Sequence, residues 1–309
     1  MKQTVGKFSV IFLLVSGHAF AASYTLPPPN QSIIGRMEYN TSGYSDTIKS
    51  IDQEYDVGYN AMEGANPHLN LSQELTSGSP LQIPTEHLLP GEPREGIVIN
   101  LPEMRMYYYP AGTGQVKTYP IGIGKVGKTI PIVHTEITYK KVNPTWTPPE
   151  DIREFNLEQG IVLPSVMPAG PDNPLGPYAI YMKVPTYLIH STIFPESIGK
   201  RASFGCIRMY ESDINDFFPS IQSGIPVAII NSPVKVGWQN NHLYMEAHPA
   251  LIEHSSEYES TLPGTVHQIV ERTGGNPVLI DWQAVTYISQ EKDGVPHEIG
   301  MIVPESHSN

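Results

Sequence analysis

One stretch of the chain concentrates side chains able to do chemistry, residues 187–209 (YLIHSTIFPESIGKRASFGCIRM). His190 closes a short apolar run, with Ser191 and Thr192 directly after it. Sixteen positions later comes Cys206, preceded by Gly205 and flanked by Ser203 and Arg208. A free thiol is mostly protonated at neutral pH, so a nucleophilic cysteine needs a base. An imidazole can take the thiol proton and later return one to a leaving amine. Glycine at 205 lets the backbone approach a bound carbonyl, and the amides around Cys206 can then hold an oxyanion. Arg208 offers a planar, two-pronged contact for a carboxylate. Taken together these types suit acyl transfer through a thioester. On the residues alone, a buried structural thiol beside an unrelated histidine stays open.

Those side chains need a scaffold, and the composition says of what kind. The chain has 309 residues, 39% of them hydrophobic and 16% charged, which is too apolar for a disordered polymer and long enough for a real core. Thirty prolines and 26 glycines without a triplet period point to a turn-rich β or α+β protein. Acids outnumber bases 31 to 19, for a net charge of −12, which argues against a grip on nucleic-acid phosphates. The single cysteine excludes a disulfide within the chain and any multi-cysteine metal site. His242, His248, His254, His267 and His297 are scattered without the spacing of a metal triad, so no metal is expected.

The N-terminus reads as an address. Lys2 and Lys7 precede an apolar run, Phe8 to Val15, and Ala19-Phe20-Ala21 offers small residues for a cut after Ala21. This is the layout of a secretory signal peptide over residues 1–21, too short to span a bilayer. Removing it takes away two lysines and no acid, so the net charge becomes −12 − 2 = −14. No cysteine follows the cut to carry a lipid, and no later stretch is long and apolar enough to cross a membrane.

Organisation follows from punctuation and periodicity. Ser23 to Asn30, with Pro27-Pro28-Pro29, reads as a stiff linker. Ile33 to Tyr39 reads as a strand, and Ser45 as the cap of a helix with Ile48, Ile51 and Tyr55 on one face. A second short helix, Tyr59 to Ala65, stops at Asn66-Pro67, and Leu81-Gln82-Ile83 forms a strand. Leu89 to Gly96 reads as an exposed linker into a sheet-dominated domain, residues 96–231. Its strand candidates are 97–101, 104–109, 116–121, 132–142, 179–183, 187–189 and 227–230, with helices over 148–159 and 211–221. Gly122, Gly124 and Gly127 mark a turn without the lysine and helix of a phosphate loop. Tyr107, Tyr108, Tyr109 and Tyr119 read as sheet packing.

Two resemblances add to this. The strand–helix–helix–strand order over 33–85, with Asn66-Pro67 and Gly78 to Pro84, resembles a LysM module, a small glycan-binding fold. Its opening departs from that pattern as Gly43-Tyr44-Ser45-Asp46-Thr47, and a generic α+β cap is the alternative. The second is more specific. Ile189-His190-Ser191-Thr192, a twelve-residue spacer from Ser191 to Ala202, and Ser203-Phe204-Gly205-Cys206-Ile207-Arg208 resemble the active-site signature of YkuD-type L,D-transpeptidases. Asn143 to Pro149, Asn173-Pro174-Leu175-Gly176 and Asp213 agree with it, and Val236 to Pro249 looks like the C-terminal subdomain of the Gram-negative branch.

The resemblance implies a mainly β protein: a YkuD-like mixed β-sandwich at 96–231, a small α+β LysM-like module at 33–85, and a C-terminal subdomain and tail at 232–309. It implies a periplasmic enzyme that needs no cofactor. Cys206 would be the nucleophile and His190 the base, with Ser191 orienting the imidazole and Gly205 and Cys206 amides holding the oxyanion. Arg208, Ser203 and Trp146 would contact substrate. The partners implied are peptidoglycan stem peptides and glycan, with an outer-membrane protein or lipoprotein as a further acceptor. An imidazolium beside Cys206 would hold its pKa below that of a free thiol. The family's usual histidine two residues before the cysteine is Phe204 here, and its Thr-Pro-x-Gly turn is Thr129-Ile130-Pro131. Phe204 sustains a competing expectation, a wall-binding protein with an inactive transpeptidase fold.

Overall fold

Apolar and β-branched runs build most of the sheet, in a computed structural model that describes residues 22–303. The signal peptide read at 1–21 lies outside the described residues. The N-terminal part runs β1 (Ala22–Thr25), β2 (Ile33–Gly35), β3 (Glu38–Thr41), α1 (Ile48–Glu54), α2 (Tyr59–Ala65), β4 (Pro80–Ile83) and β5 (Glu86–Leu88). The central part follows as β6 (Gly96–Asn100), β7 (Arg105–Tyr109), β8 (Gln115–Pro120), β9 (Ile123–Gly124), β10 (Val133–Val142), α3 (Glu150–Glu158), β11 (Tyr178–Met182) and β12 (Leu188–Ser191). It ends with β13 (Arg201–Ser203), β14 (Ile207–Met209), α4 (Glu211–Ser220) and β15 (Pro226–Ile230). The C-terminal part is β16 (Val234–Gln239), β17 (His242–Ala247), α5 (Leu262–Thr273), β18 (Val278–Ile280), α6 (Trp282–Glu291) and β19 (His297–Ile302).

The molecule is mainly β, as expected. Nine strands form one mixed sheet in the order β1-β8-β7-β6-β15-β10-β11-β12-β14. The pairs β6–β15 and β12–β14 are parallel, and the other neighbours are antiparallel. Strand alternation sends Tyr108 and Tyr119 to one face, where Phe217 of α4 packs against both at 5.3 and 5.2 Å. Tyr107 and Tyr109 go to the other face, under Ile34 and Leu89. A separate four-stranded sheet, β16-β17-β19-β18, carries the C-terminal core with α5 and α6.

Several local expectations change. Ser23 to Asn30 does not begin as a linker: β1 joins the edge of the large sheet, with Ala22 opposite Thr118 and Thr25 opposite Gln115. The strand read at 33–39 breaks at Gly35, whose φ of +72° and contact with the Thr85 carbonyl leave no room for a side chain. Thr47, not Ser45, caps α1, in a reciprocal capping box with Ser50. The stretch 89–96 is a strap held to the body. Leu89 is buried against the sheet, and Arg94 donates to the carbonyls of Pro27 (2.7 Å), Pro28 (3.1 Å) and Gln31. The N-terminal part also bonds to the central part, through Tyr59 N–H to Ile198 O (3.3 Å) and Asn60 Nδ2 to Glu103 O (2.9 Å).

Candidate active site

The site begins with the parallel pair β12–β14. Ile189 faces Ile207, His190 faces Arg208 and Ser191 faces Met209. Ile189, Ile207 and Met209 are fully buried in the main core and fix the register. His190 and Arg208 are therefore neighbours across the pair, and Cys206 stands one residue before β14 begins.

The turn 203–206 is built by its own side chain. Ser203 Oγ donates to Cys206 O (2.6 Å) and accepts from Gly205 N–H (3.0 Å). Gly205 has φ +115°, and a Cβ there would sit 2.6 Å from the Tyr187 ring and 2.9 Å from Lys128 O, so only glycine fits. Two sequence expectations change as a result. Ser203 is buried with its hydroxyl engaged in the turn, so it shapes the turn and does not present itself to substrate. The Gly205 amide is already taken by Ser203 Oγ, so it is not free to hold an oxyanion.

His190 is buried, and its Nδ1 lies 2.5 Å from Ser191 O. A carbonyl only accepts, so Nδ1 carries the proton and Nε2 keeps its lone pair. Burial, and secondarily the Arg208 charge, pulls the imidazole down to about 4, against the bond to Ser191 O. The ring is therefore neutral at pH 7. Ser191 orients it through its main chain, while the Ser191 hydroxyl donates to Leu175 O (2.9 Å) and ties β12 to the loop above.

Cys206 is partly exposed and unpaired. Its thiol lies 3.8 Å from Thr186 O, and the Leu188 amide also bonds it. Desolvation pushes the thiol pKa up, against smaller pulls from the Leu188 amide and the Arg208 charge. The expected depressed thiol is thus reversed: the neighbouring imidazole is neutral and supplies no positive charge. Arg208 is partly buried, with its Nε enclosed and lacking a partner. Its guanidinium lies 5.8 Å from the Phe194 ring centre. An unpaired guanidinium in such a place is poised to take an anionic group.

Residues 143–177 form the covering loop, containing α3. Phe204 packs edge-on against Phe155 of α3, ring centres 5.2 Å apart. Lys125 Nζ lies 3.6 Å from the Phe204 ring centre and 3.9 Å from that of Phe155. Lys128 bonds Asp151 at 2.5 Å. Phe204 is thus a fastening for the loop. Trp146 exchanges main-chain bonds with Met167, which places it on this loop and not on the strands carrying His190 and Arg208. Sequence reading missed Thr186, Tyr187 and Lys125, because only the fold brings them to the turn.

Among the described residues, one group has the donor set for a metal: His87, Glu103 and Glu246, all buried. Lys235 Nζ fills its centre, 2.9 Å from Glu103, 2.7 Å from Glu246 and 2.7 Å from Leu88 O. An ammonium with three such acceptors occupies the position a cation would take, so the group is a buried ion-pair network.

A thiol in the turn before β14, a neutral imidazole on β12 and a guanidinium on β14 with no salt-bridge partner among the described residues form an arrangement suited to thiol acyl transfer. Residues 94–229 match the family model described as the L,D-transpeptidase catalytic domain, YkuD. The chain is 37% identical over 287 residues to the probable L,D-transpeptidase YcfS of Escherichia coli K12, covering 91% of this chain and 89% of that one. It is 36% identical over 304 residues to the probable L,D-transpeptidase ErfK/SrfK of Salmonella typhimurium LT2, with 91% and 98% covered. For the probable L,D-transpeptidase YbiS of E. coli K12 the figures are 35% over 297 residues, with 94% and 96% covered. The chain belongs to the L,D-transpeptidase family.

Proposed function

We propose that the protein is a periplasmic L,D-transpeptidase acting on tetrapeptide stems of peptidoglycan through a thioester on Cys206. The observation that carries this is the His190 Nδ1–H bond to Ser191 O, which leaves Nε2 as a base on β12, whose parallel partner β14 begins one residue after the only cysteine. The thiol turns from Thr186 O toward Nε2 and gives up its proton. The sulfur adds to the carbonyl between the third stem residue and the terminal D-alanine. The Cys206 amide receives the oxyanion. Collapse of the adduct breaks the peptide bond, and the imidazolium returns its proton to the D-alanine amine. An amine from a second stem, or from an outer-membrane protein or lipoprotein, then attacks the thioester and restores the thiol. Arg208 holds a stem carboxylate. Residues 33–85 hold glycan beside the site. A neutral thiol–imidazole pair at rest fits this order, since the proton moves only as the carbonyl is attacked.

The competing expectation of an inactive wall-binding fold rested on Phe204, whose ring packs against Phe155 and Lys125 of the covering side. The test is D-alanine release from a disaccharide-tetrapeptide with an amine acceptor present. Cys206→Ser abolishes release, and His190→Ala slows it by about a hundredfold or more. Binding of the glycopeptide by the unaltered protein without release of D-alanine overturns the proposal.

A further inference from the structure

Two buried carboxyls, Asp56 after α1 and Asp213 of α4, hydrogen-bond each other, so that the pair holds a proton between them. Ser212 Oγ donates to Asp213 Oδ1 at 3.1 Å, while Asp56 Oδ1 and Asp213 Oδ2 are enclosed without a nitrogen or alcohol donor among the described residues. A carboxyl pair that shares a proton in a buried place is short of positive charge. The nearby Asp216 does not share the deficit, because Lys117 (2.7 Å) and the Tyr119 hydroxyl (3.0 Å) hold it. Arg105 is a neighbouring cation, and its Nη1 is engaged by Thr118 Oγ1 at 3.1 Å. A further donor is the backbone nitrogen of Ala22, 3.0 Å from Asp56 Oδ2. Ala22 is the residue that follows the predicted signal-peptide cut.

We propose that Asp56, with Asp213 beside it, is the docking site for the α-ammonium that leader removal creates on Ala22, so that maturation closes an ion pair inside the fold. The proposal rests on the export reading and is independent of the assignment of the thiol chemistry. Hydrolysis of the Ala21–Ala22 bond consumes one water, leaves a carboxylate on Ala21 and turns the Ala22 amide into an ammonium. The nitrogen that gave one hydrogen then has three, with a full positive charge, 3.0 Å from the Asp56 carboxyl that bonds Asp213. Its position is set beforehand, because the β1–β8 register holds Ala22 opposite Thr118. Ala22 also lines a cleft of about 590 Å3 with Tyr24, Glu54 and Tyr55.

The electrostatics agree. Burial raises the pKa of Asp56, against the pulls of Arg105 and the Ala22 amide, and burial followed by Asp56 raises that of Asp213 well above the usual carboxylate range. Without a further cation the pair retains a proton, and an ammonium relieves that strain. The site also ties three parts together. Asp56 lies two residues after α1 ends at Glu54, and Asp213 lies in the first turn of α4, seven residues after Cys206. The new terminus is thus a positioning group for the helix behind the nucleophile strand.

The test compares two otherwise identical exported-form chains with defined starts, one beginning at Ala22 and one retaining Ala21. The proposal predicts a folded-to-unfolded ratio about tenfold higher for the Ala22 start, the equivalent of one pKa unit of charge interaction. Asp56→Asn abolishes that difference. The Ala22 α-amine titrates at least one unit above its ordinary value of about 8, a measurement that needs no variant. Equal stability of the two starts, or a difference that survives Asp56→Asn, overturns the ion pair. N-terminal sequencing of the exported protein separates the premise, since a first residue other than Ala22 removes the leader reading while the two defined chains still decide whether the carboxyl accepts the charge.

Discussion

Ser203→Ala separates a residue that contacts substrate from one that builds the turn under the nucleophile. Its hydroxyl bridges the turn, accepting from Gly205 N–H at 3.0 Å and donating to Cys206 O at 2.6 Å, in a side chain only 2% exposed. Each such bond contributes about 1 kcal/mol net, and stranding the buried Gly205 amide costs about 1–3 kcal/mol. The sum is a stability loss of about 2–4 kcal/mol, because the two terms overlap at Gly205. For a chain of this size that is roughly a 4–8 °C fall in Tm. A turn that relaxes also misplaces the sulfur, and a displacement of about 1 Å can cost on the order of a hundredfold in rate. Thermal unfolding and D-alanine release, measured on one preparation, read both effects. The account expects Tm and kcat to fall together with KM little changed. An unchanged Tm with a raised KM would refute it and restore Ser203 as a substrate contact.

Three further outcomes follow from the same geometry. Phe204→Ala removes the ring between Lys125 and Phe155, so stability falls by about 1–2 kcal/mol and limited proteolysis within 143–177 accelerates. Lys235→Met leaves Glu103 and Glu246 buried without their ammonium, and urea denaturation should show a loss of about 3–5 kcal/mol. NMR titration should find His190 protonating near pH 4 as the Nδ1–H tautomer. Its folded pKa lies below the unfolded value of about 6.5, so His190 contributes stability that is present above 6.5 and is lost as pH falls toward 4. A His190 midpoint at or above 6.5 would show that Arg208 and burial do not act on the ring as described.

Much of the fold was legible because its signals are local. Runs such as Ile97-Val98-Ile99 and the segments around Tyr107, Ile180 and Val227 form strands within a residue or two of expectation. The helix at 150–158 was legible from its acidic, proline-led opening, and the one at 211–220 from its acidic first turn and apolar spacing. What stayed hidden depends on distant partners. Ala22 to Thr25 carries little strand signal and becomes β1 because β8 offers an open edge. The strap 89–96 has linker composition, yet Arg94 finds three carbonyls some sixty residues earlier in the chain. In the site, the types and spacing of His190, Gly205, Cys206 and Arg208 were visible as candidates. The reversal of the thiol shift was not, since it depends on how tightly Cys206 and His190 are enclosed. Spacing alone likewise could not show that Ser203 closes back on its own turn.

The central claim is that the acyl group passes through the sulfur of Cys206. Intact-mass measurement and peptide mapping after brief incubation with the tetrapeptide substrate, or with a carbapenem as an acyl donor, test it most directly. The account predicts one adduct per chain on the peptide containing Cys206, absent in Cys206→Ser and formed more slowly in His190→Ala. D-alanine release that proceeds at full rate in Cys206→Ser, or an adduct mapped to any other residue, would contradict it.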